Sequence, residues 1–254
     1  MTRTLVHHLR DDRFEPGASP EFLYRDLGTA DITGGAFSAR VIRAAHDTKH
    51  AGDWHTHDHG FSLTYVLVGW LEVEFEDIGL QRVGPGDVIY SWNGPRHREL
   101  GCGGGLEILS LTSRERMGKA AGSRAVVQHA HDAPYEAGLR DYFVYRDFGV
   151  KDATGGAIAS HAIKVEPGRH PHGQWHTHEL GFQFVYVADG WVEFHYEDIG
   201  RVRLEKGSAV YQPPLIRHAE IAHSDDVVIL ETVAPADFET RVVDAPALEM
   251  ASAQ

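Results

Sequence analysis

Each half of the sequence contains a His-x-His pair and one further histidine 40 positions later. The two sets have the same spacing, and each member of the second lies 121 positions after its counterpart: His55, His57 and His97, then His176, His178 and His218. Neutral imidazoles are common ligands of divalent transition metals. Three of them occupy one side of a metal and leave positions open for water or substrate, as a catalytic site requires. These six histidines are therefore the predicted metal ligands.

The spacing within each pair predicts a β-strand, because side chains at positions i and i+2 of a strand point to the same face. Each pair would then project its two imidazoles together, and a neighbouring strand would supply the third. His97 and His218 follow Gly86 and Gly207 by eleven residues. This places both of them at the end of another predicted strand.

The offset of 121 extends far beyond the histidines. The tetrapeptide Glu-Asp-Ile-Gly at 76–79 recurs at 197–200, and Gly69-Trp70 recurs as Gly190-Trp191. A repeat of this length is a whole domain, since solenoid repeats have much shorter periods. The expected organisation is an N-terminal barrel at 1–113, a linker at 114–121, a C-terminal barrel at 122–234 and a tail at 235–254.

The hydrophobic pattern within each repeat is that of strands. Leu71, Val73 and Phe75 alternate with glutamates, and residues 192–197 repeat the alternation in the second half. A period of two indicates a strand with one wet face. Short strands separated by glycine-rich breaks, without a long amphipathic helix, predict an all-β fold with a small barrel or sandwich in each half.

These motifs resemble those of the cupin family. The first cupin motif contains His-x-His, a glutamate three or four residues later and a closing glycine, which here is Gly69 or Gly190. The second motif runs from a glycine to a histidine, here from Gly86 to His97 and from Gly207 to His218. The resemblance covers nearly the whole chain, twice. It implies two tandem cupin barrels of the jelly-roll type, related by internal duplication. It also implies a mononuclear metal, which in this family is often Fe, Mn, Ni, Zn or Cu.

The chain departs from the cupin pattern at the glutamate. Counting seven back from the closing glycine, that position is Ser62 in the first repeat and Gln183 in the second. Ser62 is interpreted as a packing residue, and Gln183 is either a fourth ligand or a hydrogen-bonded core amide. The second half is accordingly expected to hold the better metal site, and Gln183→Glu is expected to be tolerated and to tighten metal binding.

Five further residues are candidates for the substrate pocket around the metals. Three are aromatic and lie on strands near the first motif: Tyr65, Phe184 and Tyr186. Core packing is the alternative for aromatic residues in these strands. The other two, Arg40 and His161, occupy equivalent positions among small apolar residues. Facing the solvent is the equally supported alternative for this last pair.

The formal net charge of −13 argues against nucleic acid and anionic membranes as partners, since both require a basic surface. No segment is long and apolar enough to span a membrane, and no signal peptide is evident. With a single cysteine, Cys102, no intrachain disulfide can form. A cytoplasmic protein with a small-molecule substrate is expected, with a homodimer as an open alternative.

The leading functional hypothesis is an enzyme that acts on a small organic substrate, anionic, enolic or phenolic, through a three-histidine metal centre. An open face beside three imidazoles favours a dioxygenase. The alternatives are a redox-neutral isomerase, lyase or cyclase, and a bicupin that binds a small molecule without turning it over. The sequence assigns no catalytic residue.

Overall fold

The structure is a computed structural model that describes residues 3–9, 14–17, 19–49, 52–114, 122–166 and 168–246. In the first half of the chain the strands are β1 (Leu5–His7), β2 (Glu15–Pro16), β3 (Phe22–Asp26), β4 (Phe37–Ala44), β5 (Thr48–Lys49), β6 (Phe61–Phe75), β7 (Gly79–Val83), β8 (Val88–Trp92) and β9 (His97–Ser113). In the second half they are β10 (Arg124–Gln128), β11 (Glu136–Ala137), β12 (Phe143–Asp147), β13 (Ala159–Val165), β14 (His176–His178), β15 (Phe182–Asp189), β16 (Trp191–Tyr196), β17 (Gly200–Glu205), β18 (Ala209–Gln212), β19 (His218–His223), β20 (Val228–Ala234) and β21 (Thr240–Val242). The predicted all-β fold is confirmed.

Among the described residues the α-helices are two single turns, α1 (Thr29–Ile32) and α2 (Val150–Ala153), at equivalent places in the two repeats. In the described part of the chain, no helix has the length and hydropathy that crossing a membrane requires.

The described residues divide into two compact units. The first barrel contains those between 14 and 134 together with 153–155, and the second barrel contains 3–9, 135–152 and 156–246. In the first barrel the strand order is β10-β8-β6-β9-β4-β3-β2, with β5 on β9 and β7 on β6. The second barrel has two sheets, ordered β1-β18-β15-β20-β13-β12-β11 and β17-β16-β19-β14-β21.

The glycine that closes the first motif marks a sharp bend in both barrels. Gly69 has φ +75° within the 15-residue strand β6, and a Cβ there would overlap the backbone of Gly103 and Leu106. Gly190, with φ +62°, separates β15 from β16 at the equivalent point. Glycine tolerates this conformation because it has no Cβ. In the second barrel the chain passes at this point from the sheet that contains β15 to the sheet that contains β16.

Each barrel encloses its own apolar core. In the second barrel, residues from both sheets share the core, including Val185 and Ile229 from one sheet and Val192, Phe194 and Tyr196 from the other. The core of the first barrel includes Val66, Val73, Phe75, Ile89 and Leu106. The alternation read from the sequence at 71–75 and 192–196 therefore faces the core as predicted.

The barrel boundaries differ from those expected from the repeat. Strand β1 pairs with β18 of the second barrel, where Leu5 is opposite Tyr211, and β10 pairs with β8 of the first, where Arg124 is opposite Trp92. The first strand of each repeat thus completes the barrel formed mainly by the other repeat. An internal repeat identifies equivalent positions, but it does not show whether a strand pairs with its own repeat or with the other one. For this reason the expected ranges 1–113 and 122–234 differ from the two units of the structure. Most of the expected linker, 115–121, lies outside the described residues.

An aspartate at the β-hairpin turn holds each of these incoming strands. Asp198 accepts hydrogen bonds from the backbone N–H of Thr4 (2.8 Å) and from its Oγ1 (2.9 Å). At the equivalent place in the first barrel, Asp77 accepts one from the N–H of Ala125 (3.0 Å). The repeated Glu-Asp-Ile-Gly turn therefore anchors a strand as well as reversing the chain.

Removing this anchor should loosen the strand that it holds. We predict that Asp198→Ala lowers the free energy of unfolding of the second barrel by about 1–2 kcal/mol, because two hydrogen bonds to a carboxylate are lost. Asp77→Ala removes one such bond and should have a smaller effect. Urea denaturation followed by circular dichroism measures both. An Asp198→Ala variant as stable as the parent would contradict the anchoring role.

Candidate metal centres

The second barrel brings three imidazoles into one buried cluster. His176 and His178 point to the same side of β14, and His176 lies directly opposite His218 of β19. One ligand nitrogen from each of the three residues lies within 4.8 Å of the other two. All three side chains are buried. The structure thus places the predicted second-half histidines in one site.

Hydrogen bonds orient each ring of this cluster. The Nδ1 atoms of His176 and His218 donate to the carbonyl oxygens of Gln174 (2.9 Å) and Ile216 (3.0 Å). Nδ1 of His178 pairs with Oγ1 of Thr240 (2.9 Å), on the tail strand β21 that lies beside β14. The carbonyl acceptors place the ring proton of His176 and His218 on Nδ1 and leave Nε2 free as a ligand, the usual arrangement around protein-bound metals.

Burial keeps these imidazoles unprotonated. It lowers the pKa of His176 from 6.5 to about 4, lowers the pKa of His178, and moves the pKa of His218 well below its usual value. The neighbouring imidazoles add to the effect at His218. Metal binding requires the neutral ring, so the cluster is ready to bind a cation at neutral pH.

The first barrel forms a similar but more open cluster. His55 and His97 lie opposite each other and exchange backbone hydrogen bonds of 2.9 and 3.0 Å. Their Nδ1 atoms donate to the carbonyl oxygens of Asp53 and Pro95, both at 2.9 Å. His57 completes the trio, and burial, followed by the nearby His97 and His55, lowers its pKa to about 4.

A carboxylate that the sequence analysis missed joins this first-barrel cluster. Glu99 groups with His55, His57 and His97, so the described donors number four here and three in the second barrel. The expectation that the second half has the larger ligand set is therefore not supported among His, Cys, Asp and Glu donors. The signal was available in the sequence, because Glu99 follows His97 by two residues on one strand and recurs as Glu220.

Each cluster opens into a cavity. The first-barrel cavity has a volume of about 730 Å³ and is lined by Arg40, Ser62 and apolar residues such as Leu71, Phe75 and Ile108. The second-barrel cavity is smaller, about 220 Å³, and its lining includes Arg140, Tyr142, Phe194, Glu220 and Phe238. The two sites therefore differ in the size of molecule that they can admit.

Gln183 lies in the second cavity as part of a buried hydrogen-bonded chain. Its amide nitrogen donates to Oε1 of Glu231 (2.9 Å), and Oε2 of Glu231 pairs with Nε2 of His161 (2.8 Å). Burial alone would raise the pKa of Glu231, but the bonds from His161 and Gln183 lower it to about 2. Sequence reasoning missed Glu231, since its first-repeat equivalent is Ser110 and the repeat gives no signal.

The five pocket candidates divide by strand face. Arg40 and His161 line the first and second cavities, respectively. Tyr65, Phe184 and Tyr186 are buried but do not line them. The expectation for these three is wrong because strands alternate. The cavities are lined by Ser62 and Thr64 of β6 and by Gln183 and Val185 of β15. Each of the three aromatic residues follows one of these positions and therefore faces the opposite side of its strand.

Glu220 is a second polar group that faces the second cavity. It is buried, and its Oε1 has no hydrogen-bond partner in the described protein. Burial raises its pKa to about 8, while a hydrogen bond with Tyr142 acts in the opposite direction. An unpartnered buried oxygen is costly and is typical of a position that meets a ligand.

The donor sets fit a divalent transition metal. Three oriented imidazoles in each barrel, joined by a carboxylate in the first, suit Fe, Mn, Ni, Zn and Cu. Imidazole is a ligand for all of these ions, so the residues indicate a divalent transition metal but do not identify which one.

The chain is similar to known proteins in sequence over part of its second half and in fold over nearly its whole length. The family model described as "Cupin domain" matches residues 162–233, and a comparison with curated protein sequences found no significant match. An oxalate decarboxylase of Lactobacillus farciminis in its formate complex is 11% identical, with a TM-score of 0.68 over 98% of this chain and 93% of its own. Both barrels have the cupin fold.

Two other solved structures support the same conclusion about the fold. The protein YlbA of E. coli is 13% identical, with a TM-score of 0.70 over 96% of this chain and 94% of its own. The oxalate decarboxylase of Bacillus subtilis, whose Mn(II) centres are the subject of one structure, is 14% identical, with a TM-score of 0.63 over 98% of this chain and 83% of its own. The predicted pair of cupin barrels is thereby confirmed.

The Gln183–Glu231 contact changes the expectation for a substitution at Gln183. We predict that Gln183→Glu lowers the stability of the metal-free protein at neutral pH by about 1–3 kcal/mol, because two buried carboxylates would meet at hydrogen-bond distance. The matched control is Ser62→Glu, since the first barrel has Ser110 in place of Glu231. Chemical denaturation of both variants in EDTA is the measurement, and equal stability of Gln183→Glu and the parent would show that the contact does not form.

The buried imidazoles should also make the metal-free protein acid-sensitive. Because the pKa of His176 is about 4 when folded and near 6.5 when unfolded, the unfolded chain takes up more protons between these values, and stability should fall as the pH drops from about 6.5 to about 4. Thermal denaturation in EDTA at about pH 7.5 and pH 5 tests this. His176→Gln should show a flatter pH dependence than the parent, which separates the imidazole from other titrating groups. A parent melting temperature that does not fall at pH 5 would contradict the prediction.

Proposed function

We propose that this protein is a metal-dependent enzyme whose second barrel acts on a small organic anion. The observation that carries the proposal is the set of three buried imidazoles, with each Nδ1 engaged, at the wall of a cavity of about 220 Å³. His176, His178 and His218 would hold the ion through Nε2. When bound, the metal supplies a Lewis acid that polarises a carbonyl or carboxylate oxygen of the substrate.

The size and charge of the cavity define the substrate class. Drug-sized ligands occupy sites of roughly 300–1,000 Å³, so a cavity of about 220 Å³ suits a smaller molecule. Arg140 lines it, and its charge acts on His176 and Glu220. A guanidinium pairs well with a carboxylate. A small carboxylic acid held between Arg140 and the histidine cluster fits this arrangement.

The side chains around the histidines favour a redox-neutral reaction. Glu220 and Tyr142 form one hydrogen-bonded pair at the cavity and His161 and Glu231 form another. Carboxyl, phenol and imidazole groups beside a metal move protons during isomerisation, elimination or decarboxylation. In this proposal Glu220 exchanges a proton with the substrate, while Glu231 orients Gln183 and His161.

The dioxygenase expected from the sequence is the second candidate, and the first barrel favours it. Its cavity of about 730 Å³ is largely apolar and contains the cluster of His55, His57, His97 and Glu99. A phenol or enol has room there beside the histidines. In this candidate the protein provides the metal ligands and an apolar wall that positions the ring.

One reconstitution experiment distinguishes these candidates. Metal-free protein is loaded separately with Mn(II), Fe(II) and Zn(II) and mixed with small carboxylic acids (oxalate among them), 2-oxo acids, diketones and phenols. Products are identified by mass spectrometry with and without O₂, and O₂ uptake is recorded. We expect turnover of a small acid that needs no O₂, is abolished by the double substitution His176→Ala/His178→Ala and survives the matched substitution His55→Ala/His57→Ala.

Other outcomes would redirect the assignment. O₂ uptake that disappears in His55→Ala/His57→Ala, but not in the second-barrel variant, would replace the proposal with the dioxygenase. Tight binding of a panel member without turnover under any metal would instead indicate a small-molecule-binding protein.

A further inference from the structure

The first barrel has Ser62 at the position where cupins usually have a glutamate, but the carboxylate of Glu99 lies near its three histidines. We propose that Glu99 is a ligand of the first-barrel metal and takes the place of the glutamate that is missing at Ser62. The site then has three imidazoles and one carboxylate, with the carboxylate supplied by the strand of the third histidine. This inference concerns metal coordination and does not depend on the reaction proposed for the second barrel.

The position of Glu99 fits a shared ion. It follows His97 by two residues on β9, so both side chains point to the same face. Oε1 lies 3.9 Å from Nε2 of His97, and Oε2 lies 3.8 Å from Nε2 of His55. Donors at about 2.0–2.2 Å from one metal are roughly 3–3.5 Å apart. Each contact therefore needs to contract by only about half an ångström for both residues to bind one ion.

The backbone around Glu99 is fixed, and its neighbour does not neutralise it. The carbonyl oxygen of Glu99 accepts a hydrogen bond of 2.8 Å from the N–H of Gly52. Arg98 points to the other side of β9, where its Nε donates to Glu74 (2.7 Å). The carboxylate of Glu99 is therefore directed at the histidines rather than at the adjacent guanidinium.

Ser62 cannot fill the role itself. Its hydroxyl is paired with Oγ of Ser91 at 2.8 Å, and a neutral hydroxyl is a weak ligand beside three imidazoles. The first-barrel site is partly exposed, and without Glu99 all of its ligands would be neutral.

The equivalent residue of the second barrel shows why this role is specific to the first. Glu220 lies 121 positions after Glu99, but it forms a hydrogen bond with Tyr142 and does not group with the histidine cluster. The first-barrel equivalent of Tyr142 is Glu21, which has no phenol to offer. The two metals would consequently differ in ligand charge, with one anionic ligand in the first barrel and none in the second.

Metal titration of single-site protein tests the proposal. In a His176→Ala/His178→Ala background, Zn(II) affinity is measured by competition with a chromophoric chelator, and Co(II) absorption reports the ligand set. We expect Glu99→Gln to weaken Zn(II) binding by at least about tenfold and to change the Co(II) spectrum. Glu107→Gln, on the same strand but paired with Arg43, is the matched control and should change affinity by less than about twofold.

A relocation of the carboxylate provides the decisive comparison. Adding Ser62→Glu to Glu99→Gln should restore Zn(II) affinity to within about threefold of the parent, since it returns the ligand to the usual position. Circular dichroism verifies folding, and Glu99→Asp serves as the conservative replacement if Glu99→Gln misfolds. Parent-like affinity and spectrum in Glu99→Gln, or no metal bound by the parent background, would overturn the proposal. A protein inactive on every substrate would leave this readout unaffected.

Discussion

The site of the second barrel depends on keeping three imidazoles unprotonated at close range. Ring centroids in the second cluster are 4.3–5.2 Å apart, and at that distance three positive charges would repel one another strongly in a poorly solvated site. Burial opposes protonation, and the carbonyl oxygens of Gln174 and Ile216 and the hydroxyl of Thr240 engage the three Nδ1 atoms without adding charge. The fold thus forms, in the metal-free protein, a binding site suited to a cation that has free coordination positions.

Duplication has preserved this framework while the surrounding groups have diverged. The histidines, the bend glycines and the anchoring aspartates recur at a constant offset. Around them, Arg40, Ser62 and Ser110 in the first barrel correspond to His161, Gln183 and Glu231 in the second. The second barrel thereby has a carboxylate on β20, whereas in the first barrel it is Glu99 of β9 that groups with the histidines. Two copies of one scaffold have become two chemically distinct sites.

Sequence reasoning anticipates the features that depend on local periodicity. The spacing of His55 and His57, the alternation at 192–196 and the glycine at position 69 each follow from strand geometry, so the all-β fold and the histidine clusters could be read directly. The same alternation explains why Tyr65, Phe184 and Tyr186 do not line the cavities, since each stands an odd number of positions from Ser62 or Gln183 on its strand.

The remaining misses depend on contacts between distant segments. Glu231 meets Gln183 and His161 only because β20 lies between β13 and β15, and no local pattern encodes that neighbourhood. The pairing of β1 with β18 cannot be predicted from the repeat either. The repeat shows that positions 5 and 126 are equivalent, but it does not show in which barrel each strand pairs. Glu99 is different, since its place two residues after His97 was sufficient to predict its face.

The exchange of first strands has a consequence for synthesis on the ribosome. Leu5 and Val6 are translated about two hundred residues before their partners Tyr211 and Val210. The first barrel can close once Gln128 has appeared, because β10 completes it. The opening strand must meanwhile wait unpaired, and an unpaired strand is prone to associate with other chains. The order of translation therefore allows the first barrel to fold before the second, in which β1 can pair only after β18 has been synthesised.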